Sequence, residues 1–415
     1  MMWFLLSLTH VITHFHRFNL NVLADRLMLD FSLSGLALGN LAAAYSYMYL
    51  LVQIPGGLLI DRFGPRRMAF ATALLMGTGS LIFGFSTSIN GIFLGRLMIG
   101  LGGSVVLINI IKFQAAWYRD NQFATMSGLA ILIGSAGSLL ATLPLAYIIA
   151  FVSWRVIFQA AGLLSFLVAL ACLLLVKDRP AAGEGERPLP QTGKAEQSYS
   201  LGEMVSRTLR NRPLWTAFFL NFGIYGSFVT LTGAWGVTYV MQIYGLTRPE
   251  AALIMLPASL GMMLGAPLGG YLSDRLGRRK LPILIAVLFF FLNWSLLLTF
   301  FGGKPPLFLL YIITFNLGAA AAAVTLTLTY AKEMSPPSIT ATATAFVNVG
   351  SFAGVAVLQI LFGYVLQRGW EGSFREGVML YPSGAYSSAF FLCFFFITIS
   401  LILATRLRKE RSLKS

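Results

Sequence analysis

Long runs of apolar residues, separated by short polar connections, make up most of this chain. A helix that crosses a bilayer needs about 20 consecutive apolar residues, whereas the strands of a membrane barrel alternate apolar and polar positions. The runs here are continuous and of helical length, so they predict membrane-spanning helices. The twelve predicted spans cover approximately residues 3–28, 35–60, 68–87, 91–117, 124–149, 154–176, 214–241, 250–272, 281–301, 306–331, 341–367 and 386–406.

Basic residues concentrate in every second connection between these spans. The odd-numbered connections hold few of them, apart from Arg248, Lys304 and the mixed-charge segment 368–376. Because basic loops are retained on the cytoplasmic side, we expect both termini and the central linker to be cytoplasmic, in the inner (plasma) membrane of the cell. The even-numbered connections and the tail carry Arg62, Arg66, Arg67, Arg119, the basic residues of the central linker, Arg275, Arg278, Arg279, Lys280, Lys332, Arg406, Arg408, Lys409, Arg411 and Lys414.

The longest polar connection covers residues 177–213 and divides six spans from six. Its prolines, glycines and charges of both signs are typical of a flexible linker. The predicted domains are therefore an N-terminal six-helix bundle at 1–176, a cytoplasmic linker at 177–213, and a C-terminal six-helix bundle with a short basic tail at 214–415.

Near the end of this linker, Ser200 and Glu203 form a capping-box pattern ahead of apolar residues at helical spacing. The pattern favours a short amphipathic helix on the cytoplasmic face, with a solvated coil as the alternative.

The composition supports an integral membrane protein of the all-α class. Hydrophobic residues make up 57% of the chain and charged residues only 11%, whereas about a quarter of the residues of a soluble domain are charged. The net charge of +15 could indicate a nucleic-acid partner, but the basic residues lie in loops, where they orient helices in a bilayer. We therefore expect contact with membrane lipid and no nucleic acid. The two cysteines, Cys172 and Cys393, lie in separate apolar runs and predict no disulfide.

One charged turn occurs twice, about half the chain apart. Residues 57–67 read Gly-Leu-Leu-Ile-Asp-Arg-Phe-Gly-Pro-Arg-Arg, and residues 270–280 read Gly-Tyr-Leu-Ser-Asp-Arg-Leu-Gly-Arg-Arg-Lys. Each copy lies after the second span of its half. The glycines permit a sharp turn, and the arginines suit an anionic lipid surface. The repeat therefore indicates two similar halves.

Twelve spans, a linker after the sixth and this turn in each half together resemble the major facilitator superfamily of secondary transporters, over the whole chain. Arg96-Leu-Met-Ile-Gly100 is a further mark of that family, whereas the helix 5 Gly-Pro motif of drug/proton antiporters is missing from residues 134–138. The resemblance implies the major facilitator fold and a cytoplasmic gate. A plain basic loop that only orients the helices is the alternative, and it leaves the aspartates unexplained. The predicted gate residues are Asp61, Arg62, Arg66, Arg96, Asp274, Arg275 and Arg278.

Ionisable residues inside the spans are candidates for the functional site, because a charge in the bilayer interior is costly. All fifteen carboxylates lie in loops or near the ends of spans, whereas Arg17, Arg96, Lys112 and the three histidines lie within spans. Because the spans hold positive but no negative side chains, we expect the substrate to supply the counter-charge. This pattern predicts an organic anion.

On the first span, the helical period places His10, His14, Arg17 and Asn21 on one stripe. Arg17 lies close to the middle of the run, and its planar guanidinium suits a carboxylate or a phosphate. The alternatives are that Arg17 pairs with backbone carbonyls or extends to the interface, and that His14 is a structural residue.

The segments 17–24 and 44–57 are similar to the anion:cation symporter and sugar-phosphate permease group. That resemblance implies that Arg17 binds the acidic group of the substrate, with Tyr45, Tyr49 and Gln53 as candidate polar contacts; packing is the alternative for the tyrosines. Further candidate substrate contacts are His14, Lys112, Asn221 and Tyr225.

The chain departs from that group at its proton carriers. His16 stands where many of these symporters have an aspartate, and residues 102–104 read Gly-Gly-Ser where they have a glutamate. His16 is a coupling candidate because histidine titrates near neutrality, while sodium coupling, exchange against a counter-substrate and uniport remain open. Helix 7 lacks the basic residue of the sugar-phosphate exchangers, which favours a monoanionic carboxylate over a phosphate.

Enzymatic activity is not expected. The sequence has no P-loop and no set of cysteines and histidines with metal-binding spacing, so we predict no catalytic residues, no metal and no cofactor. The prediction is a monomeric secondary transporter that moves a carboxylate, a sugar acid or a phosphorylated metabolite by alternating access, coupled to a proton, to sodium or to a counter-substrate. The alternatives are an exporter of amphipathic drugs or metabolites and a transport-inactive membrane sensor of an anionic metabolite.

Overall fold

The computed structural model describes residues 1–118, 120–178, 201–300, 302–336, 339–375 and 377–407. Two π-helical turns, Leu231–Trp235 and Leu296–Phe300, extend the helices Arg212–Thr230 and Lys280–Ser295. The helices and strands are α1 (Met2–Phe18), α2 (Leu20–Phe31), α3 (Gly35–Phe85), α4 (Ile89–Gly103), α5 (Val106–Trp117), α6 (Asp120–Leu140), α7 (Leu143–Ile148), α8 (Trp154–Leu175), α9 (Leu201–Arg210), α10 (Arg212–Thr230), α11 (Gly236–Tyr244), α12 (Arg248–Leu276), α13 (Lys280–Ser295), α14 (Leu307–Ala321), α15 (Val324–Glu333), α16 (Thr340–Arg368), β1 (Phe374–Arg375), β2 (Val378–Met379) and α17 (Ser383–Thr405).

The predicted all-α membrane fold is confirmed. Eleven helical stretches among the described residues are long and apolar enough to cross a membrane, and they match the second to twelfth predicted spans to within several residues. The first predicted span is made of α1 and α2, which have 17 and 12 residues and are separated at Asn19. The helix predicted after Ser200 is present as α9. The rest of the predicted linker at 179–200, Arg119 and the tail from Arg408 onwards lie outside the described residues.

The chain forms two compact units. The first contains Met1–Arg17, Tyr47–Ala141 and Ile148–Ser198, and the second contains Phe18–Ser46, Thr142–Tyr147 and Tyr199–Ser415. The predicted division into 1–176, 177–213 and 214–415 follows the order of the chain and stays a prediction.

The core of the first unit is an apolar cluster shared by its helices. α1, α3, α5, α6 and α8 each contribute buried side chains to it. Two glycines of α6 let α1 approach closely: a Cβ on Gly134 would lie 2.1 Å from Nδ1 of His10, and one on Gly137 would lie 2.0 Å from the carbonyl of Val11. This packing holds the predicted stripe of α1 in a defined position.

The first copy of the repeated turn bends at Gly64, where φ is 79° and interrupts α3. Such a φ favours glycine, and Pro65 then suits the first turn of the following helix. Asp178, just after α8, accepts a hydrogen bond from the backbone N–H of Arg66 at 2.7 Å. The Nε of Arg66 donates to the carbonyl of Leu173 at 2.7 Å. The turn is thus tied to the end of the last long helix of its half.

The second copy of the turn is tied to α17 in a similar place but with different chemistry. Lys280 donates from Nζ to the carbonyls of Thr405 and Leu407, both at 2.7 Å, at the C-terminal end of α17. Arg279 forms an ion pair with Glu333, with Nε and Oε1 3.0 Å apart. A cation at a helix C-terminus is favoured by the helix dipole.

In the second unit, α10 and α16 pack backbone against backbone. A Cβ on Gly354 would lie 2.1 Å from the carbonyl of Phe222, and one on Gly350 would lie 2.4 Å from the carbonyl of Phe218. These glycines therefore set the distance between the two helices.

Residues 18–46 pack with helices of the C-terminal half inside this second unit. Asp25 of α2 and Arg248 of α12 form an ion pair with Oδ2 and Nη2 2.5 Å apart, and their side chains are 16% and 10% exposed. Gly35 donates its N–H to Oε1 of Gln367 at 3.1 Å, and the carbonyl of Gly35 would lie 2.2 Å from a Cβ on Gly363. An ion pair thus joins α2 to α12, and a hydrogen bond with a close backbone contact joins α3 to α16.

Replacing Gly354 by alanine is expected to destabilise the protein by about 1–3 kcal/mol, because the new Cβ would overlap the carbonyl of Phe222 and force the helices apart. The midpoint of thermal unfolding in detergent measures the effect. Gly128→Ala is the matched control, since a Cβ there meets nothing within 4 Å and alanine favours a helix. Equal midpoints for G354A and the wild type would contradict the packing described.

Removing one partner of the Asp25–Arg248 pair is expected to lower the unfolding free energy by about 1–3 kcal/mol, because the other charge remains mostly buried. Asp25→Asn and Arg248→Gln should each show the loss, and the reversed pair D25R/R248D should recover part of it. Thermal unfolding tests all three, with exposed Glu371→Gln as the control. If the losses of D25N and R248Q simply add in the double variant D25N/R248Q, the pair is ruled out as a source of stability.

Candidate functional site

The predicted stripe of the first span, which the structure divides between α1 and α2, contains buried and partly accessible side chains. His10 and Asn21 are 4% and 3% exposed, whereas His14 and Arg17 are half-buried. Asn21 accepts a hydrogen bond at Oδ1 from the N–H of Val237, at 2.9 Å. His14 and Arg17 are three residues apart, so they lie on the same side of α1. His14 and Arg17 are thus partly accessible, while His10 and Asn21 lie in the packed interior.

Arg17 lies against the face of Tyr49. Its Cζ is 5.4 Å from the centroid of the tyrosine ring, within the range of a cation–π contact, and Tyr49 is 7% exposed. One turn further along α3, Gln53 is 8% exposed, and its buried Oε1 has no hydrogen-bond partner among the described residues. The structure thus brings the predicted Arg17 and Tyr49 together and leaves an amide oxygen unsatisfied on the same helix as Tyr49.

The two histidines of the stripe contact each other edge to face. The ring centroids of His10 and His14 are 4.6 Å apart, and Nδ1 of His10 lies 3.2 Å from the carbonyl oxygen of Ala130 on α6. His10 therefore connects α1 to α6 and packs against the ring of His14.

His16, the predicted coupling residue, lies on another face of α1. Its side chain is fully buried, and its ring centroid is 5.6 Å from that of Phe158 and 5.5 Å from that of Phe15. Neither ring nitrogen has a hydrogen-bond partner in the part of the chain that the structure describes. Its role in coupling stays a prediction, now with an apolar environment around the ring.

Arg96 lies at the end of α1. Its guanidinium donates from Nη1 to the carbonyl of His16 and from Nη2 to the carbonyl of Arg17, the second at 3.5 Å. The sequence grouped Arg96 with the gate because of its family pattern, and that role also stays a prediction. Its position deep inside a span was the available signal for a role in the site, but only the structure identifies its partners.

Lys112 is half-buried on α5. Asn109, one turn earlier on this helix, donates from Nδ2 to the carbonyl of Pro65 at 3.0 Å and ties α5 to the first repeated turn. The assignment of Lys112 to the substrate site stays a prediction.

Tyr45, Asn221 and Tyr225 belong to the second unit. Asn221 accepts a hydrogen bond at Oδ1 from Thr327 at 2.8 Å and donates from Nδ2 to the carbonyl of Val347 at 3.4 Å. These bonds join α10 to α15 and α16. Asn221 is thus an interhelical connector in this structure, and its predicted contact with substrate is untested.

Tyr225 and Tyr45 are also packed in this unit. The centroid of the Tyr225 ring is 6.0 Å from that of Phe352, and Tyr45 is 2% exposed. Their roles as substrate contacts stay predictions, as does the packing alternative for Tyr45.

Two polar groups near the π-helical turn of the second unit were missed by sequence reasoning. The hydroxyl of Thr230 and Nε1 of Trp235 are fully buried and have no hydrogen-bond partner among the described residues. π-helical turns are frequent at functional sites. The only sequence signal was a threonine and a tryptophan within a span.

The structure describes the side chains of some of the predicted gate residues. The side chains of Asp61 and Asp274 lie outside the described part of the structure, and those of Arg62, Arg275 and Arg278 are exposed. Arg66 is held by Asp178 and Leu173 as described above. The gate itself stays a prediction. Across the described residues, no group of three or more acidic, histidine or cysteine side chains is arranged to hold a metal.

Several curated transporters are similar to this chain over most of its length. The probable sulfoacetate transporter SauU of Cupriavidus necator is 25% identical over 405 residues, which covers 93% of this chain and 92% of that protein. The cis,cis-muconate transport protein of Acinetobacter baylyi is 27% identical over 363 residues, covering 86% and 81%. The probable galactarate/D-glucarate transporter GudP of Escherichia coli is 24% identical over 440 residues, covering 91% and 89%.

Solved structures of the same fold cover nearly the whole chain. An inward-facing, unoccupied bacterial homologue of the human lysosomal transporter Spinster superposes with a TM-score of 0.77 at 16% identity, covering 98% of this chain and 96% of that one. The D323A mutant of the nucleoside transporter NupG superposes with a TM-score of 0.73 at 16% identity, covering 97% and 98%. At these identities the likeness concerns the fold.

The family profile of the Major Facilitator Superfamily matches residues 6–241 and 230–415, and together these matches span nearly the entire chain. The profile, the repeated turn and the helical architecture agree. This protein therefore belongs to the Major Facilitator Superfamily.

Proposed function

We propose that this protein is a secondary transporter that moves a small organic anion across the membrane by alternating access, with Arg17 as the residue that binds the anion. The observation that carries the proposal is the half-buried guanidinium of Arg17, inside a predicted span and against the ring of Tyr49. A cation at membrane depth is costly and is commonly part of a substrate pathway.

The contact with Tyr49 suits an anion-binding role. A ring face attracts the guanidinium and limits its rotation, and the paired N–H groups of a guanidinium match the two oxygens of a carboxylate or sulfonate. Holding the side chain before the ligand arrives reduces the entropy lost on binding. His14 and Gln53 then offer hydrogen bonds to hydroxyl or further carboxyl oxygens of the substrate.

The named substrates of the relatives support the same chemical class. Sulfoacetate, galactarate or D-glucarate, and cis,cis-muconate are given for transporters that resemble this chain over most of its length. All are small carboxylates. We extend that class to this protein, with carboxylates and sugar acids ahead of phosphorylated metabolites because the seventh predicted span, residues 214–241, has no basic residue.

The setting of the transporter completes the proposal. The protein is a multi-pass membrane protein, and we place it in the inner membrane as a monomer, with both termini in the cytoplasm because the basic connections lie on that side. Transport is driven by a proton or sodium gradient or by exchange with a counter-substrate. Binding and transport need no cofactor and no catalytic residue.

Arg17→Ala is expected to reduce uptake of the preferred anion by at least about 30-fold, since losing one partner of a buried charged contact typically costs about 2–5 kcal/mol. Proteoliposomes loaded with the purified protein and offered labelled sulfoacetate, D-glucarate or cis,cis-muconate measure the effect. Arg17→Lys should retain a fraction of the uptake. Arg155→Gln, which removes a guanidinium 4.3 Å above the ring of Trp154 on α8, is the matched control.

Three results would contradict the proposal. Wild-type uptake by correctly folded R17A would remove Arg17 from the site. Binding of an anion without counterflow would identify a sensor. Preference for cationic or neutral amphipathic compounds would identify an exporter.

A further inference from the structure

The helix that carries Arg17 is interrupted beside it. α1 ends at Phe18 and α2 begins at Leu20, with Asn19 between them. The last four carbonyl groups of a helix lack partners within that helix, and at membrane depth such groups must be satisfied by other parts of the protein. The carbonyls of His16 and Arg17 belong to this last turn of α1.

Arg96 of α4 satisfies both of these carbonyls. Its Nη1 donates to the carbonyl of His16, and its Nη2 donates to that of Arg17 at 3.5 Å. The side chain is 1% exposed, so its charge lies in the interior of the first unit. A planar guanidinium can bond two neighbouring acceptors at once, and a cation at the C-terminal end of a helix is favoured by the helix dipole.

The neighbouring glycine explains how α4 reaches this position. A Cβ on Gly95 would lie 2.7 Å from the carbonyl of Gly79 and 2.8 Å from the backbone nitrogen of Phe83. α4 is therefore in backbone contact with α3 at Gly95. Arg96 is the next residue, about 100° further around the helix, where it reaches α1 instead of α3.

We infer that Arg96 is a positioning residue for the anion site: it holds the backbone of Arg17 so that the Arg17 guanidinium is presented to the substrate in one orientation. This inference rests on the proposed function of Arg17. Arg17 is then held at two points, at its carbonyl by Arg96 and at its guanidinium by Tyr49. Arg96 itself contacts the helix end and is assigned no contact with the anion.

A merely structural cap predicts a different behaviour. If Arg96 only stabilised the fold, its replacement would lower the unfolding temperature and leave the affinity of the folded protein unchanged. A positioning residue changes the affinity of the protein that remains folded. It also loosens the backbone around Arg17 in particular.

The test combines ligand affinity with hydrogen exchange in detergent-solubilised full-length protein. Calorimetric titration with sulfoacetate, D-glucarate and cis,cis-muconate identifies the tightest of these three probes and gives its Kd. Hydrogen exchange followed by mass spectrometry reports on the peptide that covers residues 13–21 and needs no ligand. The variants are Arg96→Gln, Arg96→Lys, Arg17→Ala and the control Arg155→Gln.

Arg96→Gln is expected to raise the Kd about tenfold or more and to speed exchange in residues 13–21 severalfold, because the glutamine amide lacks the charge and the fork of the arginine. Arg96→Lys should be intermediate in both measurements. The lysine ammonium keeps the positive charge but lacks the planar fork that bonds two carbonyls at once. Arg155→Gln should match the wild type in both.

The two arms separate the two claims. A wild-type Kd in folded R96Q, or a raised Kd without faster exchange in residues 13–21, overturns the positioning role. If R96Q does not fold, R96K decides, and wild-type values for R96K in both measurements overturn the role of the two-carbonyl contact. Failure of the proposed function has a separate signature, in which R17A keeps the wild-type Kd while R96Q still speeds exchange around residue 17.

Discussion

The constraint on which this structure depends is that a bilayer offers no hydrogen-bond partners. Every backbone and side-chain polar group at membrane depth must be satisfied inside the protein, which restricts the spans to helices and makes each interruption of a helix a local problem. At three helix ends, different side chains supply the hydrogen-bond partners that the helix itself lacks. Asp178 caps the helix that restarts after Gly64, Lys280 caps the end of α17, and Arg96 serves the end of α1. In each case a charged side chain from another helix or loop supplies the missing partner.

Glycine and arginine have complementary roles under this constraint. Gly95, Gly137 and Gly354 bring helices into backbone contact, which fixes the distance between their axes. An arginine on one helix can then reach the backbone of a neighbouring helix with its planar guanidinium. The first unit illustrates the combination, because Gly95 lies against α3 and Arg96 lies against α1. The position of the Arg17 guanidinium on α1 therefore depends in part on small residues that pack one helix against another.

Much of the fold could be predicted from the sequence because span length and loop charge are properties of continuous segments. The second to twelfth spans follow from apolar length, and the family follows from the turns at 57–67 and 270–280. The break at Asn19 was not predictable, since residues 3–28 read as one apolar run and neither proline nor glycine marks the position. Asn19 has a helical backbone with φ −64° and ψ −26°, so its identity carries no turn signal.

The candidate site was predictable only in part, for a related reason. Helical periodicity identified the stripe that contains His14 and Arg17, and the structure adds Tyr49 as a partner. Periodicity within one helix cannot show which neighbouring helix faces it, so the contacts of Arg96 with α1 and of Asn221 with α15 and α16 emerge only from the packing. His16 shows the converse, since its place beside Arg17 in the sequence puts it on a different face of the helix, against Phe158.

The burial of the two cysteines has a practical consequence for measurements of conformational change by cysteine labelling. Cys172 and Cys393 are both free thiols with no exposed surface, and burial raises the barrier to reaction with water-soluble reagents. We therefore expect the protein to react slowly with water-soluble thiol-specific labels before any cysteine is introduced. A single cysteine introduced beside Arg17 or on either repeated turn would report, by its labelling rate, when that place becomes open to water during the transport cycle.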